Sequence, residues 1–264
     1  NNQYRYFQAN GAGSSLNFPN LRSVTNGTSN DTNLRIEALA GGEVLLTSLV
    51  AIEDPASGDQ RYRAVWITSD AADSVVDLSS LSMFRDNWAS VDDGDGRRSR
   101  ITISNGAAVR LSQSGMSQLQ GVAVSLAGAI TGGLELLSNG RLTGAGSIAG
   151  NLRNGGSITI GAGMTITVGG NFVAAAGSVL AFDIAGASEA QRGRLRITGT
   201  ATFGGTFRAI FVNGYVPAAG VSFADLLTFS SFSGAFSLID ATGLSGGRSL
   251  IGRYNPSNFA LEIA

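Results

Sequence analysis

The side chains best suited to chemistry in this sequence are carboxylates, and their densest cluster is Asp86, Asp92, Asp93 and Asp95, interrupted by Gly94. Calcium takes about six to eight oxygen ligands, and acidic positions alternating around a glycine can supply several of them. These four residues form the candidate metal site; calcium is the cation they would take, and no other cofactor is implied. Their spacing is neither that of an EF-hand nor that of the nonapeptide calcium repeats. A solvated loop balanced by Arg97, Arg98 and Arg100 is the reading that composition favours.

Asp70, Asp73 and Asp77, with Asp54 and Asp59 upstream, have the residue type for glycoside hydrolysis, which needs two carboxyls about 5–9 Å apart in a cleft. Arg35, Arg63 and Arg100 recur just before or within β-like stretches. A column of them would serve a polysaccharide lyase or hold an anionic glycan through bidentate contacts. Tyr4, Tyr6, Trp66 and Trp88 could stack on sugars, although Trp66 stands where a core residue belongs. Asn26 and Asn30 open N-glycosylation sequons and are read as turn residues, while Thr165/Thr167 and Thr200/Thr202 persist through too few repeats to form an ice-binding ladder.

What the chain lacks narrows the chemistry further. Its 18 basic residues are all Arg, and it has no His and no Cys. Zinc sites of the Cys/His kind, thiol nucleophiles and Ser-His-Asp triads are thereby ruled out, as are lysine Schiff bases. A net charge of −1 provides no electrostatic footprint for nucleic acid or an anionic membrane. The longest apolar runs, such as Gly121–Ile130, are too short for a membrane-spanning helix. The first residues are Asn-Asn, with no Met and no apolar leader, so the sequence reads as a mature or excised segment.

The elements that must position these residues are repeats. Aligned without gaps, Ser15–Val24, Glu43–Ile52 and Val75–Phe84 bring apolar residues together at Phe18/Leu46/Leu78, Leu21/Leu49/Leu81 and Val24/Ile52/Phe84. A weaker fourth copy starts at Val109–Leu111, with Met116 and Leu119 in place of the later anchors. The period of about 30 residues fits one coil of a β-helix, each coil satisfying its backbone edges and apolar inside only against the next. The loops 25–33, 53–63 and 85–100 vary in length and would leave one side of the coils. Beyond residue 122 short alternating strands follow one another, punctuated by Asn139-Gly140, Asn154-Gly155, Gly169-Gly170 and Asn213-Gly214, dipeptides that accept tight turns. The apolar strands 223–229, 236–239 and 259–263 end the sequence. Two segments are therefore expected, 1–121 with repeats of about 30 residues and 122–264 as a Gly-rich continuation with a C-terminal cap.

The N-terminal repeats resemble those of large secreted surface proteins of planctomycetes. The second half resembles autotransporter-type β-solenoid modules, on the strength of the stretches 142–152, 154–158, 168–172, 195–207, 212–217 and 254–263. Those resemblances imply a right-handed, surface-exposed parallel β-helix with a stalk, adhesive or matrix role, and they bring no catalytic residues with them.

The fold expected is all-β, a parallel β-helix (β-solenoid) with a less regular β cap region at the C-terminus. The repeat begins almost at once, at Tyr4, Tyr6 and Phe7, so its first edge is expected to be open. Pairing of that edge with Phe259, Leu261 and Ile263 of another copy would build a head-to-tail filament. The function expected is an extracellular, cell-surface structural or adhesive protein, not an enzyme, whose partners are its own copies and surface glycans. The alternative is a carbohydrate-binding or polysaccharide-cleaving β-helix.

Overall fold

The structure, a computed structural model, describes residues 3–59, 61–88, 98–244 and 246–264. Its contacts divide the chain into two compact units, Asn1–Leu142 and Thr143–Ala264. The division falls about one coil later than the change of sequence texture near residue 121, and the strands Ala123–Leu126, Ala129–Thr131 and Gly133–Leu136 belong to the first unit.

In the first unit every circuit of the chain contributes one strand to each of three parallel sheets. The first sheet stacks Gln3–Asn10, Thr32–Leu39, Ala64–Asp70, Arg100–Ser104 and Ala123–Leu126. The second stacks Ser15–Asn17, Glu43–Leu45, Val75–Asp77, Ala108–Arg110 and Ala129–Thr131. The third stacks Ser23–Thr25, Ala51–Asp54, Met83–Asp86, Met116–Gln120 and Gly133–Leu136. This is a parallel β-helix, as the repeat requires.

Because strand side chains alternate between faces, one residue in two from each strand points inward and stacks on its equivalent in the next coil. Phe7, Ile36, Ile67, Ile101 and Val124 form one such column by register. Val24, Ile52, Phe84, Leu119 and Leu136 form another. The weaker fourth repeat departs from expectation at Met116, which is only half-buried. The neighbouring Ser117 takes the interior position beside Leu81, where its hydroxyl donates to the Leu81 carbonyl at 2.6 Å and accepts from Ser112 N at 3.1 Å. A buried hydroxyl is tolerated there because both of its hydrogen-bonding roles are filled.

The second unit repeats the three-sheet pattern. One sheet stacks Ser157–Ile160, Val179–Ile184, Thr206–Phe211 and Leu238–Thr242. Another stacks Leu152–Asn154, Phe172–Ala174, Thr200–Phe203 and Ser231–Gly234. The remaining sheet runs Gly146–Ile148, Thr165–Val168, Arg194–Ile197 and Ser222–Thr228 in parallel, then continues antiparallel through Asn258–Ile263 to Leu250–Tyr254. That antiparallel hairpin is the irregular C-terminal cap.

At one corner of this unit asparagines replace the strand ladder. Asn171 N donates to Asn151 Oδ1 at 2.8 Å, and Thr200 N donates to Asn171 Oδ1 at 2.9 Å. The stack needs a bare backbone beside it, since a Cβ at Gly170 would lie 2.4 Å from Asn151 Oδ1. Asn171→Ala is expected to lower stability by about 1 kcal/mol, the net worth of one such hydrogen bond. Chemical unfolding of the variant beside the parent measures it, and an unchanged midpoint would refute a stabilising role for the stack.

Candidate functional site

Two side-chain assemblies in the first unit go beyond what the coil needs to fold. The first sits at the root of the variable loops. Asn26, Asp54 and Asp86 lie two residues beyond the core positions Val24, Ile52 and Phe84, hence on the same inward face, and the strand register stacks them over one another. All three are buried. Arg63 enters from the following loop, fully buried, with Nε 2.9 Å from Asp54 Oδ1. Its terminal nitrogens donate to the carbonyls of Ser57, at 2.7 Å, and Pro55. Asn26 Nδ2 donates to Asp54 Oδ1 at 3.3 Å and to Thr32 O at 3.2 Å. Asp86 accepts from Trp88 N at 3.0 Å and Ser99 N at 2.7 Å, one on each oxygen.

The electrostatics follow from burial. Loss of solvation, reinforced by the Asp86 charge, pushes the Asp54 carboxyl up to about 6 against the opposing pull of Arg63 and Asn26. Burial likewise raises Asp86, against its two backbone donors and Arg98. The cluster ties Thr32, Ser57, Arg63, Trp88 and Ser99 to the coil, and its carboxylates face the interior.

The second assembly lies on the outer face of the first sheet. Register places Tyr6, Arg35, Trp66 and Arg100 in one column across four successive coils. The Arg35 guanidinium lies 4.2 Å from the Trp66 ring centroid, 4.8 Å from that of Tyr4 and 5.8 Å from that of Tyr6. Arg100 lies 3.9 Å from the Trp66 centroid. Cations stacked on aromatic faces at these distances are attracted to the ring quadrupole. The Trp66 indole N–H donates to Arg98 O at 3.2 Å. Trp66, expected in the core, therefore points outward; its buried neighbours Val65 and Ile67 take the interior positions.

The remaining predicted positions fall out as follows. Arg63 leaves the expected arginine column and is replaced there by Trp66, whereas Arg35 and Arg100 occupy it. Asp59 pairs with Arg61, and Asp77 accepts from Arg110 at 3.1 Å and from Ser79 N at 3.0 Å. Asp70 accepts from Ser104 Oγ at 2.6 Å and Asn105 Nδ2 at 2.8 Å, contacts that lower its carboxyl below the usual range. Of the calcium cluster, Asp86 is committed to backbone donors, and Asp92, Asp93 and Asp95 lie outside the described residues. Among the described residues, no three His, Cys, Asp or Glu side chains converge on a metal-binding position. No described helix is long and apolar enough to cross a membrane.

The residues expected to join copies have different fates. Tyr6 is 51% exposed, and Tyr4 and Phe7 are partly exposed. Next to them the exposed Arg5 stands in register with Leu34 and Val65, its guanidinium donating to the Tyr4 carbonyl at 3.2 Å. Phe259, Leu261 and Ile263 are fully buried, and their strand is paired on both edges, to Ser222–Thr228 and Leu250–Tyr254. That strand has no free edge to offer another copy. The outermost strands of the second unit are instead Ser231–Gly234, Leu238–Thr242 and Leu250–Tyr254, which carry the exposed Phe232, Leu238 and Ile251. The sequence Asn255-Pro256-Ser257-Asn258 between the last two strands is the signal that foretells this hairpin: Pro presets the backbone for a tight turn, and across it Asn255 N donates to Asn258 O at 2.9 Å.

Set against protein-family models, curated proteins and solved structures, the chain matches none of them.

Proposed function

We propose that this chain is an extracellular structural or adhesive component of a cell surface, with copies associating through strand edges to build a fibre. The observation that carries the reading is the stacking itself: each coil satisfies three parallel strand edges and an apolar inside only against the next, and such edges are templates for further strands. Phe18, at 37% exposed, and Phe232, Leu238 and Ile251 in the second unit are exposed apolar side chains beside them.

Sedimentation velocity over a range of concentrations, with electron microscopy of the concentrated material, tests it. The expected result is reversible, concentration-dependent growth of linear oligomers, weakened by Phe18→Asp. A monomer throughout the range would overturn the fibre reading. The alternative, a glycan-binding β-helix, draws its support from the aromatic and guanidinium column on the first sheet.

A further inference from the structure

We infer that the Tyr6–Arg35–Trp66–Arg100 column is a binding track for an acidic polysaccharide, with Arg35 taking the carboxylate of a uronate residue and Tyr6 packing against its sugar ring. The inference rests on the adhesive part of the function proposed above and names its ligand class.

Arg35 is the centre of the argument. Its guanidinium lies between the rings of Tyr4 and Tyr6 on one side and Trp66 on the other. Stacking occupies the face of a guanidinium and leaves its in-plane N–H groups for hydrogen bonds. Among the described residues those donors go unused. Nε has no hydrogen-bond partner, and the nearest carboxylate oxygen, Glu37 Oε1, is 3.8 Å from Nη1, beyond hydrogen-bonding distance. Glu37 is instead engaged by Gln8 Nε2, which donates to its Oε2 at 2.6 Å. Arg35 is thus a clamped, charged fork, its side chain still 26% exposed. A planar fork of this kind matches the two oxygens of a carboxylate.

The surroundings favour a sugar polymer over a small anion. The Tyr6 ring, half-exposed at the edge of the column, offers an apolar surface for the C–H face of a pyranose. Beside the column, Thr68 and Thr102 stand in the next outward register positions, where their hydroxyls can meet those of a glycan. Arg100 lies two coils from Arg35, about 10 Å at the usual strand spacing.

The test is binding of the purified chain to immobilised polygalacturonate, with neutral dextran and dextran sulfate as comparison surfaces. Salt-sensitive binding to polygalacturonate, absent on dextran and weaker on dextran sulfate, is expected. Arg35→Gln should weaken it about tenfold or more, the worth of charge-assisted hydrogen bonds. Arg35→Lys, which keeps the charge and loses the fork, should recover only part of that loss, and Tyr6→Ser should weaken binding without disturbing the core. Circular dichroism verifies that each variant is folded. No binding by the parent chain, equal binding by parent and Arg35→Gln, or equal retention on dextran sulfate overturns the inference. Lost glycan binding with linear association intact removes this inference alone; monomeric behaviour with glycan binding intact removes the fibre reading alone.

Discussion

Arg63→Met is expected to lower the unfolding free energy by about 3–5 kcal/mol at pH 8, the cost of leaving a buried charge without its partner, and to recover most of that loss by pH 5. Arg63 is the cation in direct contact with Asp54, and both side chains are almost fully buried. Its removal leaves Asp54 facing Asp86 with only Asn26 donating to it. The Asp54 carboxyl already stands at about 6 in the intact chain, against an ordinary value of 3.8. A carboxyl raised on folding penalises the native state above its folded pKa. The penalty is relieved as pH falls through that value and is gone below the unfolded value near 4. The intact chain should therefore gain about 2 kcal/mol from this group between pH 7 and pH 4, with Asp86 acting in the same direction. Without the pull of Arg63 the Asp54 value rises further, so the variant's recovery should begin at a higher pH. Urea unfolding at pH 8 and pH 5 reads both effects. A loss of the same size at both pH values would show that the stability came from packing of the Arg63 stem and not from its charge.

Phe259→Ala is expected to cost about 3–5 kcal/mol, as for other fully buried aromatic truncations. Its ring lies 4.8 Å from Phe207, 5.0 Å from Tyr254 and 5.4 Å from Phe236, centroid to centroid. Tyr254 Oη accepts from Phe236 N at 2.7 Å, so one polar contact orients the aromatic cluster that closes the last coil. A Cβ at Gly252 would lie 2.3 Å from Ile239 Cδ1 and 2.8 Å from the Phe259 ring, so Gly252→Val should lift the hairpin in the same way. Because a stacked-coil protein loses structure from its terminal coils inward, hydrogen exchange should accelerate first in Ser222–Thr228 and Ser231–Gly234 of either variant. Were Phe259 a residue for joining copies, its truncation would change association and leave the unfolding curve of the isolated chain where it was.

The apolar anchors were legible because a coil repeats its inside. Phe18/Leu46/Leu78 and Val24/Ile52/Phe84 recur at equivalent positions, and a stacked column can be filled only by residues that recur. The buried polar column was missed: Asn26, Asp54 and Asp86 each follow an anchor by two residues and so share its face, but their polar types read as turn and loop residues, and Arg63 closes the cluster from a loop whose path no periodicity predicts. Trp66 stands outside, against expectation, for a related reason: a shift of one residue in a strand exchanges inside for outside, and an aromatic among Val65 and Ile67 fits either.

The sequence by itself determined the class of fold, the coil length and the residue types that chemistry could draw on, because each is a property of composition or period. The pairing of Asn258–Ile263 was settled only in three dimensions. Its apolar alternation marks a strand, but whether that strand continues the parallel stack or folds back depends on which edge it reaches, and the hairpin brought it between two strands of its own unit. The tertiary structure likewise decided that Arg35 and Arg100 flank an indole while Arg63 is buried against a carboxylate. Three arginines of one type acquire two roles because strand register, which depends on the lengths of the intervening loops, brings different neighbours beside them.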